Sequence, residues 1–123
     1  MLSKRNRQIL VSPIIGRVVA LNKYIVSSRS QASKMIQHTY IQKMMTDAGL
    51  LFLYAIRQLR GKDYVKRVAD LCEEIEAQAY LVAQLEHGWD GKVAANINVM
   101  TEDIVSQSEA YYHSQNHQPV EAR

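Results

Sequence analysis

A single cysteine, two prolines and five glycines in 123 residues exclude several architectures at once. The lone Cys72 rules out an intrachain disulfide framework and a cysteine-based zinc site, and it suits a reducing compartment. So few chain breakers favour long helices. No stretch approaches the ~18 uncharged apolar residues that a membrane span needs. The apolar run Ile9 to Val11 behind the basic N-terminus is too short for an export signal and is followed by Ser12-Pro13. A cytoplasmic location without a membrane partner is therefore the expectation. What is present is ample burial material: 47% hydrophobic and 22% charged residues describe a folded chain, and its length suits one domain rather than two unrelated ones.

The formal net charge of +3 hides an uneven distribution. Residues 1–67 hold 13 Lys/Arg and two acids, Asp47 and Asp63, for a net +11, whereas residues 68–123 hold two Lys/Arg and ten acids, for a net −8. Such asymmetry points either to a polyanionic partner or to self-complementary assembly.

Hydrophobic spacing predicts four helices. Residues 1–11 carry Lys4, Arg5 and Arg7 and no helical stripe, and read as a mobile basic arm that docks through Ile9, Leu10 and Val11. Ser12-Pro13 is a helix start, since a Ser hydroxyl can accept an orphan N–H and Pro at the first helical position has its φ preset. The first helix runs to about Ser27 on Ile14, Ile15, Val18, Val19, Leu21, Ile25 and Val26, and Ser27 to Ser30 form a turn. The second, from about Gln31 to Arg60, uses Ile36, Tyr40, Met44, Ala48, Leu51, Ala55 and Leu59, and widens over Leu50 to Tyr54. Gly61 suits a left-handed cap and Asp63 an N-cap, so that the third helix spans Tyr64 to about Glu86 on Val65, Val68, Cys72, Ile75, Ala79 and Val82. With Asp90 as N-cap, the fourth uses Val93, Ile97, Met100, Ile104 and Tyr111 and fades near His113, leaving a polar tail over residues 114–123. Amphipathic helices with short connections imply an all-α, up-down-up-down antiparallel four-helix bundle over residues 12–113.

Catalytic and metal chemistry finds little support. No Glu has a His three residues on, as a di-iron bundle requires, and Glu109, His113 and His117 fall where the helix should fray. No phosphate loop, nucleophile elbow or Ser/His/Asp grouping occurs. Cys72 lies on the helical seam and reads as core. Trp89, Tyr111 and Tyr112 suit the closing of a bundle end better than base stacking. No cofactor, metal or catalytic residue is expected. What remains is surplus base: Lys34 and Lys43 on the second helix, with Arg57, Arg60, Lys62, Lys66 and Arg67 around the following corner, form a candidate nucleic-acid surface. Phosphate contacts need little beyond clustered Lys and Arg and carry no base readout.

Residues 14–111, and best the run Tyr64-Val65-Lys66-Arg67 leading into Glu74-Ile75-Glu76 and Leu81-Val82-Ala83-Gln84-Leu85, resemble a family of small four-helix bundles. It comprises the proteins encoded in intervening sequences of bacterial ribosomal RNA genes and the accessory variability determinant (Avd) of diversity-generating retroelements. The resemblance implies a pentameric homo-oligomer that binds a reverse transcriptase and nucleic acid through basic surfaces. The expected function is thus that of a non-enzymatic accessory protein holding RNA or DNA beside a polymerase. The alternatives are an interaction module whose charged halves pair head to tail, and a small helical subunit of a CRISPR-type effector complex.

Overall fold

The computed structural model describes residues 4–116, which are helical throughout apart from short connections, with no strand among them. Helix α1 spans Lys4–Leu10 and α2 spans Pro13–Ser28. After a 3-10 turn at Arg29–Gln31, the short α3 at Lys34–Ile36 passes through a π turn, Gln37–Ile41, directly into α4 at Gln42–Leu59. Helices α5 and α6 span Val65–Gln84 and Gly91–Asn116. Packing is cyclic: α2 lies against α4, α4 against α5, α5 against α6 and α6 against α2, with α1 resting on α2.

The core follows the expected stripes, with Ile14, Ile15, Val18, Leu21 and Ile25 of α2 facing Met44, Ala48, Leu51 and Ala55 of α4, and α5 contributing Val68, Cys72, Ile75, Ala79 and Val82. Each fully buried Leu, Ile or Val contributes about 1.5–3 kcal/mol relative to exposure, which makes these stripes the main source of cohesion. Val26 is the exception on α2. One residue past Ile25 and about 100° round the helix, it points outward and is 54% exposed.

Several boundaries differ from the sequence expectation. The N-terminal segment read as an arm without helical pattern forms α1, held by the buried Ile9, while Leu10 and Val11 stay exposed. Ser12 precedes Pro13 as expected, yet its hydroxyl makes no capping bond; its backbone carbonyl accepts from Gly16 instead. Ser27 and Ser28 remain inside α2, and the next helix begins at Lys34 rather than Gln31, because the Ser33 hydroxyl accepts the Ile36 N–H. Tyr64, not Asp63, takes the N-cap of α5, which ends at Gln84. Helix α6 extends three residues beyond His113, and the expected tail past Asn116 lies outside the described residues.

The largest correction is one of register. The Gln42 N–H reaches the Gln37 carbonyl, five residues back, so the π turn accommodates one extra residue. The inward position after Ile36 is therefore Ile41, fully buried, and not Tyr40, which is 43% exposed. From Ile41 the stripe continues through Met44, Ala48, Leu51 and Ala55 to Gln58, displacing Leu59 to a half-buried position.

One end of the molecule is closed by the connection between α5 and α6. Trp89 is buried there and donates its indole N–H to the Ser28 carbonyl at 2.9 Å, while the His87 carbonyl accepts from the Ser33 N–H at 2.9 Å. Gly88 is required by proximity, since a Cβ on it would stand 1.9 Å from the Val82 carbonyl oxygen. At the other end, the Tyr111 hydroxyl donates to the Leu59 carbonyl at 3.2 Å.

Candidate nucleic-acid interface

The α4–α5 corner is built by a capping motif that brings basic residues of the two helices together. Gly61, at φ 92, donates its N–H to the Gln58 carbonyl, and Lys62 donates to the Arg57 carbonyl, both at 3.0 Å. This is the double-bonded helix ending that a left-handed glycine permits. It reverses the chain within a few residues and sets Tyr64 beside Arg57.

Tyr64 is the centre of the corner. Its hydroxyl accepts from Arg57 Nη1 at 2.9 Å, and the Arg57 guanidinium carbon stands 5.6 Å from the ring centroid. Arg67, three residues along α5 and hence on the same helical face, places its guanidinium carbon 4.8 Å from that centroid. Tyr54 of α4 approaches at 5.2 Å between ring centroids with the planes tilted by 52°. The hydrogen bond from Arg57, more than any other influence, holds the Tyr64 phenol below its ordinary pKa. Arg60 and Lys62 stand exposed on the turn. Lys66 pairs with Asp70 at 2.9 Å, a bond that raises its pKa and keeps it charged.

The first turn of α5 holds Lys66 and no acid. With Arg67 next in sequence, positive charge accumulates at a helix N-terminus, where the backbone dipole disfavours it. The end of α1 lies toward the same end of the molecule, where Gln8, Ile9 and Ser12 share a groove with Leu59 and Tyr111. A shallow cleft of about 150 Å³ opens beside the corner between Gln58, Gly61, Lys62, Asp63, Tyr111, Tyr112 and Gln115.

Two of the seven basic residues read from the sequence do not join this cluster. Lys34 is the first residue of α3, and at 1.5 Å per residue it lies roughly 35 Å along the rod from Arg57. Lys43 is drawn into a network on another face, bonding Asp47 at 3.1 Å and Glu74 at 3.3 Å; the Asp47 bond is the chief reason its pKa rises. Asp47 is buried and also accepts from Gln78 Nε2 at 2.8 Å, so Lys43 serves to compensate a carboxylate inside the fold. Arg17 is likewise engaged, by Asp103 of α6.

The remaining chemistry is placed as follows. Cys72 is buried on the seam, and burial pushes its thiol up to about 12. Trp89 is enclosed, and its N–H is taken by Ser28. Among the described residues no three His, Cys, Asp or Glu side chains gather as a metal site, and His117 lies outside them. No helix of the described residues is long and apolar enough to cross a membrane. Acid collects elsewhere, with Glu73, Glu76, Glu102 and Glu109 lining a groove of about 300 Å³ between α5 and α6.

Tyr64 and Tyr54 are the participants that sequence reasoning missed. The available signal was an aromatic followed three residues later by Arg, within a basic run, just after a glycine turn. Against this geometry, comparison with known proteins adds no relative: no family profile, no curated protein and no solved structure matches this chain.

Proposed function

We propose that this chain is a non-enzymatic, oligomeric accessory protein that binds RNA or DNA along its phosphates at the α4–α5 corner. The observation that carries this reading is the placement of Arg57, Arg60, Lys62, Lys66 and Arg67 on and beside the α4–α5 turn, with Arg57 and Arg67 both held against Tyr64. Asp63 and Asp70 are the acids within that stretch of chain, and Asp70 is already paired with Lys66. An up-down-up-down antiparallel four-helix bundle is the topology we infer beneath it. The bonds Trp89 to Ser28 and Ser33 to His87 at one end, and Tyr111 to Leu59 at the other, are those expected when successive long helices alternate in direction. The resemblance of residues 14–111 to the Avd family adds a pentameric state and a reverse transcriptase acting on the bound strand to the same proposal.

The test is a filter-binding titration against duplex DNA and structured RNA over a range of salt. Binding with a steep salt dependence and little sequence preference is expected, each neutralised DNA phosphate contributing about 0.9 to the slope of log affinity against log salt. Changing Arg57, Arg60, Lys66 and Arg67 together to Gln should lower affinity and slope with helicity retained. Absence of parent binding at low salt would overturn the reading. A second reading has its own observation, the α5–α6 glutamate groove, whose charge complements the corner. Under it the Gln variant would dissociate an oligomer, visible by sedimentation, and the parent would bind no nucleic acid.

A further inference from the structure

We infer that Tyr64 positions Arg57 and Arg67 as a two-guanidinium clamp for the phosphodiester backbone, blind to the bases. This rests on the nucleic-acid reading above and specifies which part of the strand is held. A tyrosine within a basic cluster ordinarily suggests base stacking. Here its surroundings argue otherwise. Arg67 stands 4.8 Å from the ring centroid and Arg57 5.6 Å, while Tyr54 closes in at 5.2 Å and the hydroxyl is taken by Arg57. A base would have to displace these groups to stack.

The same contacts prepare the guanidiniums. A guanidinium drawn to an aromatic ring keeps N–H donors directed away from it, and a rigid planar fork loses little freedom when it engages phosphate oxygens. Arg57 gives Nη1 to the phenol and retains its other N–H donors. Both side chains are exposed, so a ligand can reach the guanidiniums. The corner joins one Arg from the last turn of α4 to one from the start of α5, and the Gly61 turn sets their separation. Tyr64 is thus a positioning residue, and the arginines are the binding ones.

Fluorescence anisotropy with two single strands of equal length, oligo(dT) and an abasic deoxyribose-phosphate strand, tests this with the full chain. Four proteins are compared: the parent, Tyr64→Leu, the double variant Arg57→Lys with Arg67→Lys, and the triple variant that combines all three changes. The double variant keeps every charge on two exposed side chains and should remain folded, which circular dichroism verifies. The clamp requires the parent to bind both strands within about twofold of each other, and the Lys variant to bind both roughly tenfold more weakly despite unchanged charge. Tyr64→Leu should weaken binding to both strands alike, and by less when Arg57 and Arg67 are already Lys. A Lys variant equal to the parent would overturn the clamp and leave only a diffuse positive field. A parent that prefers oligo(dT), with Tyr64→Leu affecting that strand alone, would overturn base-blindness in favour of stacking. A parent that binds neither strand nor the duplex and RNA probes would remove the nucleic-acid reading itself.

Discussion

Gln58 and Ser108, 50 residues apart, exchange two hydrogen bonds inside the core: Gln58 Nε2 donates to the Ser108 carbonyl at 2.9 Å, and Ser108 Oγ donates to Gln58 Oε1 at 2.6 Å. Both residues are almost fully buried. A reciprocal pair of this kind fixes the register of α6 against α4, because a slip of one residue would strand two polar groups. Ser108→Ala removes the donor to Gln58 Oε1 and should cost about 1–3 kcal/mol. Adding Gln58→Leu to that variant should recover most of the loss. Chemical denaturation of parent, single and double variants measures both steps, and additive losses would show that the pair is not coupled.

The glycines make opposite predictions. Gly49 lies exposed within α4 with open space where a Cβ would stand, so Gly49→Ala should stabilise the fold by about 0.5–1 kcal/mol through helix propensity alone. Gly88→Ala would drive a methyl group into the Val82 backbone and displace the turn that carries Trp89. A lower melting temperature for Gly88→Ala and a higher one for Gly49→Ala are the expected outcomes.

Leu51 and Ile75 face the core from α4 and α5 with no exposed surface. Leu51→Asp and Ile75→Asp each place an unpaired carboxylate there, a cost of several kcal/mol against a total stability of roughly 5–15 kcal/mol. Loss of helical circular dichroism at neutral pH is expected for both.

Most of the framework was legible because it rests on local chemistry. Pro13 marks the start of α2, Gly61 marks the end of α4, and three- and four-residue spacings mark the buried faces. Hidden features involve choices that side-chain hydrophobicity does not register. The π turn at Gln37–Ile41 changes which carbonyl an N–H reaches, and its one trace in the sequence is the five-residue step from Ile36 to Ile41. Gln58, Thr101 and Ser108 occupy core positions as polar residues, satisfied by partners on other helices or one turn away. The corner was half legible. Its basic residues stood out in the charge count, but the approach of Arg57 to Tyr64 depends on the path of the chain around Gly61. Lys43 was misleading for the converse reason, since its partners Asp47 and Glu74 are brought to it by folding.

Cys72 supplies a probe of unfolding. Its thiol, raised from an ordinary value of 9.0 to about 12 chiefly by burial, stays protonated in the native state at pH values where the unfolded chain has lost the proton. The native state then binds more protons than the unfolded state, so stability falls as pH rises from about 9 toward 12. At pH 8.5, native Cys72 should resist iodoacetamide and react only at the rate of opening. Fast labelling of the native protein would contradict its placement on the seam.

The two connections at the Trp89 end are tied to each other, the Trp89 indole N–H donating to the Ser28 carbonyl and the Ser33 N–H to the His87 carbonyl, whereas the Gly61 turn satisfies its hydrogen bonds from the helix it ends. The molecule therefore has one pole where two connections constrain each other's length and another where a single turn is held by the two helices it joins. Residues inserted between Gly88 and Trp89 must break contacts belonging to two connections at once. Residues inserted between Lys62 and Asp63 disturb one turn and leave the opposite pole closed, which makes the basic corner the place where this fold can acquire new sequence without surrendering its core.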